Sequence, residues 1–403
     1  GLWIEGSDQN TTTITGNIST SGISSHGVEI SKFSDDYVSI NNTTTITGNI
    51  STSGFTSYGL YNDQSNSNTT NIVGDITTLS VGSVGLFFSS SDSNTTNITG
   101  DITTSEDAAD GIRISSSDSN TTNITGNIST AGLGAEAFFL YTSNRNTTTM
   151  TGNILTTGDQ APGIYLRGDD FGILDNSFNT VTMQGDISTT NTSSSGISIA
   201  TGSNDNTISM EGNITTSEVG SDGIEIIQSS NRNVITMTGN IVTNATDGQS
   251  TGIFIQRESD SNTINMTGNI STAGIAGYGF SIYESDSNTT NITGNISTAG
   301  RAGYGIFLFA QGTSRARISN NTTTLTGNIS TTGQFAFGVY LLNADSNTTS
   351  ITGNISTTGQ DGLGVYLANA DNNTLVINGN ISTSDTGGNA EPILLEGSDS
   401  NTF

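Results

Sequence analysis

The 403-residue chain carries 36 Asp and Glu against nine Lys and Arg, a formal charge of −27. That balance makes DNA, RNA and anionic lipid surfaces poor partners. There is no cysteine, which excludes disulfides and thiolate metal sites, and no apolar run long enough to cross a membrane as a helix. Abundant Ser, Thr, Asn and Gly at high net charge is also the composition of disordered chains, but here the apolar residues keep a phase that a disordered tract has no reason to hold.

That phase comes from a segment of the form Asn-Thr-Thr-x-Ile-Thr-Gly-Asn-Ile-Ser-Thr. It returns fourteen times, on Gly16, Gly48, Gly74, Gly100, Gly126, Gly152, Gly185, Gly212, Gly239, Gly268, Gly294, Gly327, Gly353 and Gly379. Most spacings are 26 or 27 residues, with 32 or 33 after Gly16, Gly152 and Gly294. A fixed short period predicts a solenoid that grows by adding coils, and residues 1–403 read as one continuous domain. Gly1 occupies a mid-coil glycine position and Phe403 falls just after the Asn of a further coil. The expectation is an uncapped part of a longer or processed chain, with open strand edges favouring end-to-end association.

In the first copy, Thr12, Ile14, Gly16, Ile18 and Thr20 share one parity and Thr11, Thr13, Thr15, Asn17 and Ser19 the other. Alternation with Ile on one side predicts a strand with one buried face. The Thr12 position becomes Val181, Ile208, Ile235, Ile264 and Leu375 elsewhere, which marks it as inward. Eleven residues after the central glycine comes a second one, such as Gly59, Gly111, Gly163 or Gly338, leading into Ile-x-Leu or its like. This predicts a turn and a second short strand. No helical period occurs, so the fold class is all-β: a three-sided parallel β-helix of about 14 coils, about 26 residues each.

Six residues before the central glycine stands an asparagine in every copy: Asn10, Asn42, Asn68, Asn94, Asn120, Asn146, Asn179, Asn206, Asn233, Asn262, Asn288, Asn321, Asn347 and Asn373. Its parity is inward and it opens the strand. An amide there can bond the amides of adjacent coils and tolerate a left-handed corner, which predicts an internal asparagine ladder. The Asn-x-Thr and Asn-x-Ser triplets also match the glycosylation sequon, but buried amides could not act as acceptors.

At this level the coil resembles the passenger repeats of bacterial autotransporters. The matching runs are Gly111 to Ser129 and Gly279 to Ser297, and the likeness extends over essentially the whole chain. The resemblance implies a right-handed β-helix, export across an outer membrane, and display or release at the bacterial cell surface.

Four arrays are candidates for contact. Tyr61, Phe87, Phe139, Tyr165, Phe254, Phe307, Tyr340 and Tyr366 share one outward position of the second strand, a column suited to stacking sugars or a neighbouring molecule. Outward threonines such as Thr11, Thr13 and Thr15 suggest an ice-binding lattice, but Val73, Gln184, Glu211 and Asn378 interrupt it and Thr is an ordinary strand former. Asp92, Asp118, Asp260, Asp286, Asp345 and Asp371 stand two residues before the ladder asparagine. Stacked like charges there suit Ca²⁺, while Asn66, Asn144, Asn204 and Asn231 at the same place suit a plain Asx turn. The three long repeats carry their extra residues in 31–40, 167–178 and 309–320, a five-coil rhythm that suggests block duplication and lateral contacts.

Catalysis finds little support in the inventory. His26 and Lys32 are single, and the acid pairs Asp35–Asp36 and Asp169–Asp170 alternate faces if extended. The sequence therefore predicts a nonenzymatic extracellular structural rod without a required cofactor, an adhesin stalk or filament subunit that self-associates end to end or side by side. Its outward columns could also engage glycans or a host or neighbouring cell surface, with no nucleic acid and no membrane insertion of this segment. A carbohydrate-binding or carbohydrate-cleaving β-helix is the alternative.

Overall fold

The computed structural model describes residues 1–35, 37–169, 175–311, 318–384 and 390–403. The chain is an all-β parallel solenoid of about 15 turns. It divides into two compact units, Gly1–Ser194 with Thr201–Met210, and Ser195–Ala200 with Glu211–Phe403.

In the first unit each turn supplies one strand to each of three sheets. The first sheet runs from Thr11–Thr15 to Thr180–Gln184, the second from Ile18–Thr20 to Ile187–Thr189, and the third from Leu2–Glu5 to Ile164–Arg167. The second unit repeats the plan. Its first-sheet strands run from Val234–Thr238 to Thr374–Asn378, its second from Ile214–Thr216 to Ile381–Thr383, and its third from Ile197–Ala200 to Ile393–Glu396. Pairing is parallel and in register, so Ile98 lies on Ile72 and Ile124, and Ile102 on Ile76 and Ile128. The long insertions leave the coil after the third strand without disturbing this register, since Thr147 still pairs Thr180.

The expected single strand over 10–20 is bent into two. The central glycines from Gly16 to Gly353 sit at positive φ, 151° at Gly126, where the chain passes from first to second sheet. A Cβ on Gly126 would stand 2.1 Å from the Gly100 carbonyl oxygen, so only glycine fits. The inward parity survives the bend: Ile124, Ile128 and Thr130 are all buried. The second glycine has a different cause. Gly85 keeps an ordinary φ, but a Cβ would lie 2.5 Å from Ile102 Cγ2 of the next turn, so close packing rather than turn geometry selects it.

The asparagine ladder is present. Within the first unit Asn94 donates its backbone N–H to Asn120 Oδ1 at 2.9 Å, and Asn120 donates likewise to Asn146 Oδ1 at 2.9 Å. Each side-chain amide also donates back to a carbonyl, Asn120 Nδ2 to Ser91 at 2.8 Å. In the second unit Asn262 bonds Asn288 and Asn321 bonds Asn347 in the same way. The left-handed corner belongs to the preceding residue instead of the asparagine: Ser93 and Ser119 have φ of 59°. Asn10, in the first turn, is exposed.

Candidate functional site

Side-chain ladders join backbone bonds in continuing the sheets around the corners, where Ser93 N–H also donates to the Asp118 carbonyl at 2.9 Å. Asp118 N donates to Asp92 Oδ1 at 2.7 Å and Asn144 N to Asp118 Oδ1 at 2.7 Å. The same bond joins Asp286 to Asp260 at 2.7 Å and Asp371 to Asp345 at 2.8 Å. The acidic column expected to suit calcium is thus an Asx ladder that caps N–H groups, with Asn66 serving Asp92 interchangeably. Among the described residues no three His, Cys, Asp or Glu side chains gather as a metal would require. A further Asx ladder, not anticipated from sequence, follows the central glycine: Asp75, Asp101, Asn127 and Asn153 each donate a backbone N–H to the Asx oxygen of the turn before. Ser65, Ser91 and Ser117 form an inner one.

The aromatic column differs from expectation. Its eight members lie on the outward side of the third sheet, but they are half-buried, and Phe139 and Phe307 are only 6% and 5% exposed. Two packings enclose them. Rings stack along the column, Tyr61 on Phe87 at 5.4 Å, Phe139 on Tyr165 at 5.1 Å and Phe307 on Tyr340 at 4.9 Å. A second column, from the residue before the second glycine, leans over them: Tyr58 meets Phe87 edge-on at 5.1 Å and Tyr304 meets Phe307 at 4.9 Å. Apolar groups that face solvent recur instead on the turn after the second-sheet strand. Ile23, Phe55, Val81 and Leu133 are 76%, 54%, 41% and 51% exposed in the first unit. Backbone bonds from Ser24 to Phe55 and Thr56 to Val81 stack the first three turn on turn, and Asp107 stands between Val81 and Leu133, with Gly82 bonded to Asp107 and Ala108 to Leu133. Val219 and Ile275 take the same position in the second unit, and Phe335 the residue after it. The position seven residues after the central glycine was the available signal.

Charges interrupt the rings of this packing at Glu29, between Trp3 and Tyr61, and at two places that bury an acid beside another charge. In the first unit Asp110 is fully buried, 3.5 Å from Arg113, and Arg113 lies 5.8 and 5.1 Å from the Phe87 and Phe139 ring centres. Burial, with Glu136 nearby, pushes the Asp110 carboxyl well above the usual range, and Arg113 only partly opposes this. In the second unit the same two positions hold two acids, Asp222 and Glu225. Asp222 is 7% exposed and accepts the Thr251 N–H at 2.5 Å; Glu225 accepts the Ser198 hydroxyl at 2.6 Å. Burial first, then the neighbouring Glu225 charge, raises Asp222 far above its ordinary value; burial also raises Glu225.

Asp222 and Glu225 open on a cleft of about 580 Å³, lined also by Phe254, Gln256, Arg257, Tyr283 and Phe309. The sequence reading passed over this pair; the available signal was an acid in each of two ring columns, in Asp222-Gly-Ile-Glu225. Of the acid pairs it did name, one member of each is described. Asp35 is bound to Lys32 at 2.7 Å and Asp169 is buried, while Asp36 and Asp170 lie outside the described residues.

No protein-family model matches the chain, and no curated protein matches it.

Proposed function

We propose that the chain is a nonenzymatic structural solenoid displayed outside a bacterial cell, as an adhesin stalk or a filament subunit. One observation carries the reading: the repeated Asx columns are used to bond one turn to the next, through Asn120 to Asn146 inside and Asp92 to Asp118 outside. Repetition of this kind stiffens a stack and leaves few groups for chemistry. The likeness of the coil to autotransporter passengers supports export and surface display. The exposed turns of Ile23, Phe55 and Val81, with Leu133 beyond Asp107, support lateral self-association, because apolar exposure repeated at one phase gives several weak contacts in a line. The test is sedimentation velocity with negative-stain electron microscopy on the wild type and on a Phe55→Ser, Leu133→Ser double variant. Side-by-side assemblies that the double variant loses are expected. A wild type that stays monomeric at high concentration would sink the filament form of the reading.

A further inference from the structure

The cleft beside Asp222 and Glu225 is not accounted for by a stacking role. Seven of the eight column rings stack on another ring; Phe254 has no ring partner among the described residues. Its column neighbours are Glu225 on one side and Ser281 on the other, so both flat faces lack the covering that Phe87 or Tyr340 receives. Tyr283 and Phe309, stacked at 4.4 Å, add a second aromatic element to the lining. Polar side chains share that lining: Asp222, Glu225, Gln256 and Arg257 stand around the same cleft as the uncovered ring. An apolar platform ringed by hydrogen-bonding groups is the make-up of a small-ligand site.

We propose that this cleft binds a short stretch of neutral oligosaccharide, with Phe254 as the stacking platform and Asp222, Glu225 and Gln256 as partners for the ring hydroxyls. The volume falls in the range of small-ligand sites. Uncovered rings suit the apolar face of a sugar, and carboxylates and amides suit its vicinal hydroxyls. Two acids against the single Arg257 in the lining, in a chain of charge −27, disfavour uronates, sulphated glycans and phosphates. The inference stands apart from the stalk reading, which needs no ligand.

The test is an array carrying neutral hexasaccharides of glucose, mannose and N-acetylglucosamine beside uronate and sulphated glycans and oligolysine, probed with the full chain. Isothermal titration with the retained hexasaccharide follows. Retention of a neutral glycan is expected, weakened at least about tenfold by Phe254→Ala and several-fold by Glu225→Gln. Phe254→Tyr, which keeps the ring, and Tyr165→Ala, in the other unit, should bind as the wild type does. Retention of oligolysine or acidic glycans alone, no neutral glycan retained, or equal affinity in wild type and Phe254→Ala would each overturn the proposal.

Discussion

Two buried polar side chains on one strand face should respond to deletion with opposite signs. Asn120 is 1% exposed and Thr122, two residues on, is completely buried. Truncating Asn120 to Ala strands two backbone groups of the preceding turn: the Asn94 N–H, 2.9 Å from the lost oxygen, and the Ser91 carbonyl, 2.8 Å from the lost nitrogen. Each orphan costs about 1–3 kcal/mol, and the void adds to it, so Asn120→Ala should cost about 3–5 kcal/mol. Thr122 Oγ1, by contrast, has no hydrogen-bond partner. Thr122→Val keeps the shape and removes a desolvated hydroxyl, for a gain of about 1–2 kcal/mol.

Urea unfolding followed by circular dichroism gives the sign of each change. Hydrogen exchange at the Asn94 amide localises it, which matters because a solenoid need not unfold in one step. Asn120→Ala should speed that exchange and Thr122→Val slow it. A loss below about 1 kcal/mol for Asn120→Ala, or a loss of any size for Thr122→Val, would refute the partner accounting from which both figures come.

Other substitutions test other parts of the coil. Asn62 is 1% exposed between Ile30 and Phe88 on the inner side of the third sheet, with neither side-chain atom bonded, so Asn62→Leu should raise the urea midpoint, by about 1–3 kcal/mol. Gly126→Ala combines a φ of 151° with a Cβ 2.1 Å from a carbonyl oxygen and should cost about 3 kcal/mol or more by the same measurement. Burial, partly offset by Asp63, lowers His26 from 6.5 to about 4, so its contribution is complete above pH 6.5 and is lost as pH falls through 4; His26→Gln should flatten that limb of the pH–stability curve. Asp222 has the opposite sign: its folded value is raised above 3.8, so the contribution is present below that pH and lost as pH rises through the folded value. Asp222→Asn should therefore gain on the wild type as pH increases.

The period, the parallel coil and the inner asparagine column were legible because they depend on phase alone. Asn120 and Ile124 must face inward if any strand runs through them. The glycine bend was not legible, since Gly126 has the inward parity of its neighbours and nothing in alternation separates a corner from a strand interior. The aromatic column was placed on its correct side and misjudged in exposure. Parity says which way Phe307 points, but its 5% exposure depends on Tyr304 and Tyr340, and on how far the corner before the second glycine leans inward. Asp222 and Glu225 were hidden for a similar reason: three residues apart on the chain, they become one site only when the corner column and the strand column face each other.

Donor and acceptor accounting also explains why one Asx column is asparagine throughout and another mixes in aspartate. Asn120 must accept from Asn94 and donate to Ser91, and a carboxylate cannot do both. Asp118 only accepts, from the N–H of Asn144, and Asn66 does the same for Asp92, so either residue serves. Similar accounting separates the two places where the ring packing buries an acid beside another charge. Asp110 sits with Arg113, which offsets its charge and fills the space between Phe87 and Phe139. Asp222 sits instead with Glu225, a second acid where the first unit supplies a cation. Nothing in the turn-to-turn bonding requires that reversal, and like charges in one buried place oppose folding at neutral pH. A coil selected for stability alone would repeat the Asp–Arg pairing. The Asp222–Glu225 pair breaks a rule that the same chain satisfies elsewhere, and it does so beside the one unstacked ring of the column, which is where a ligand site is to be expected.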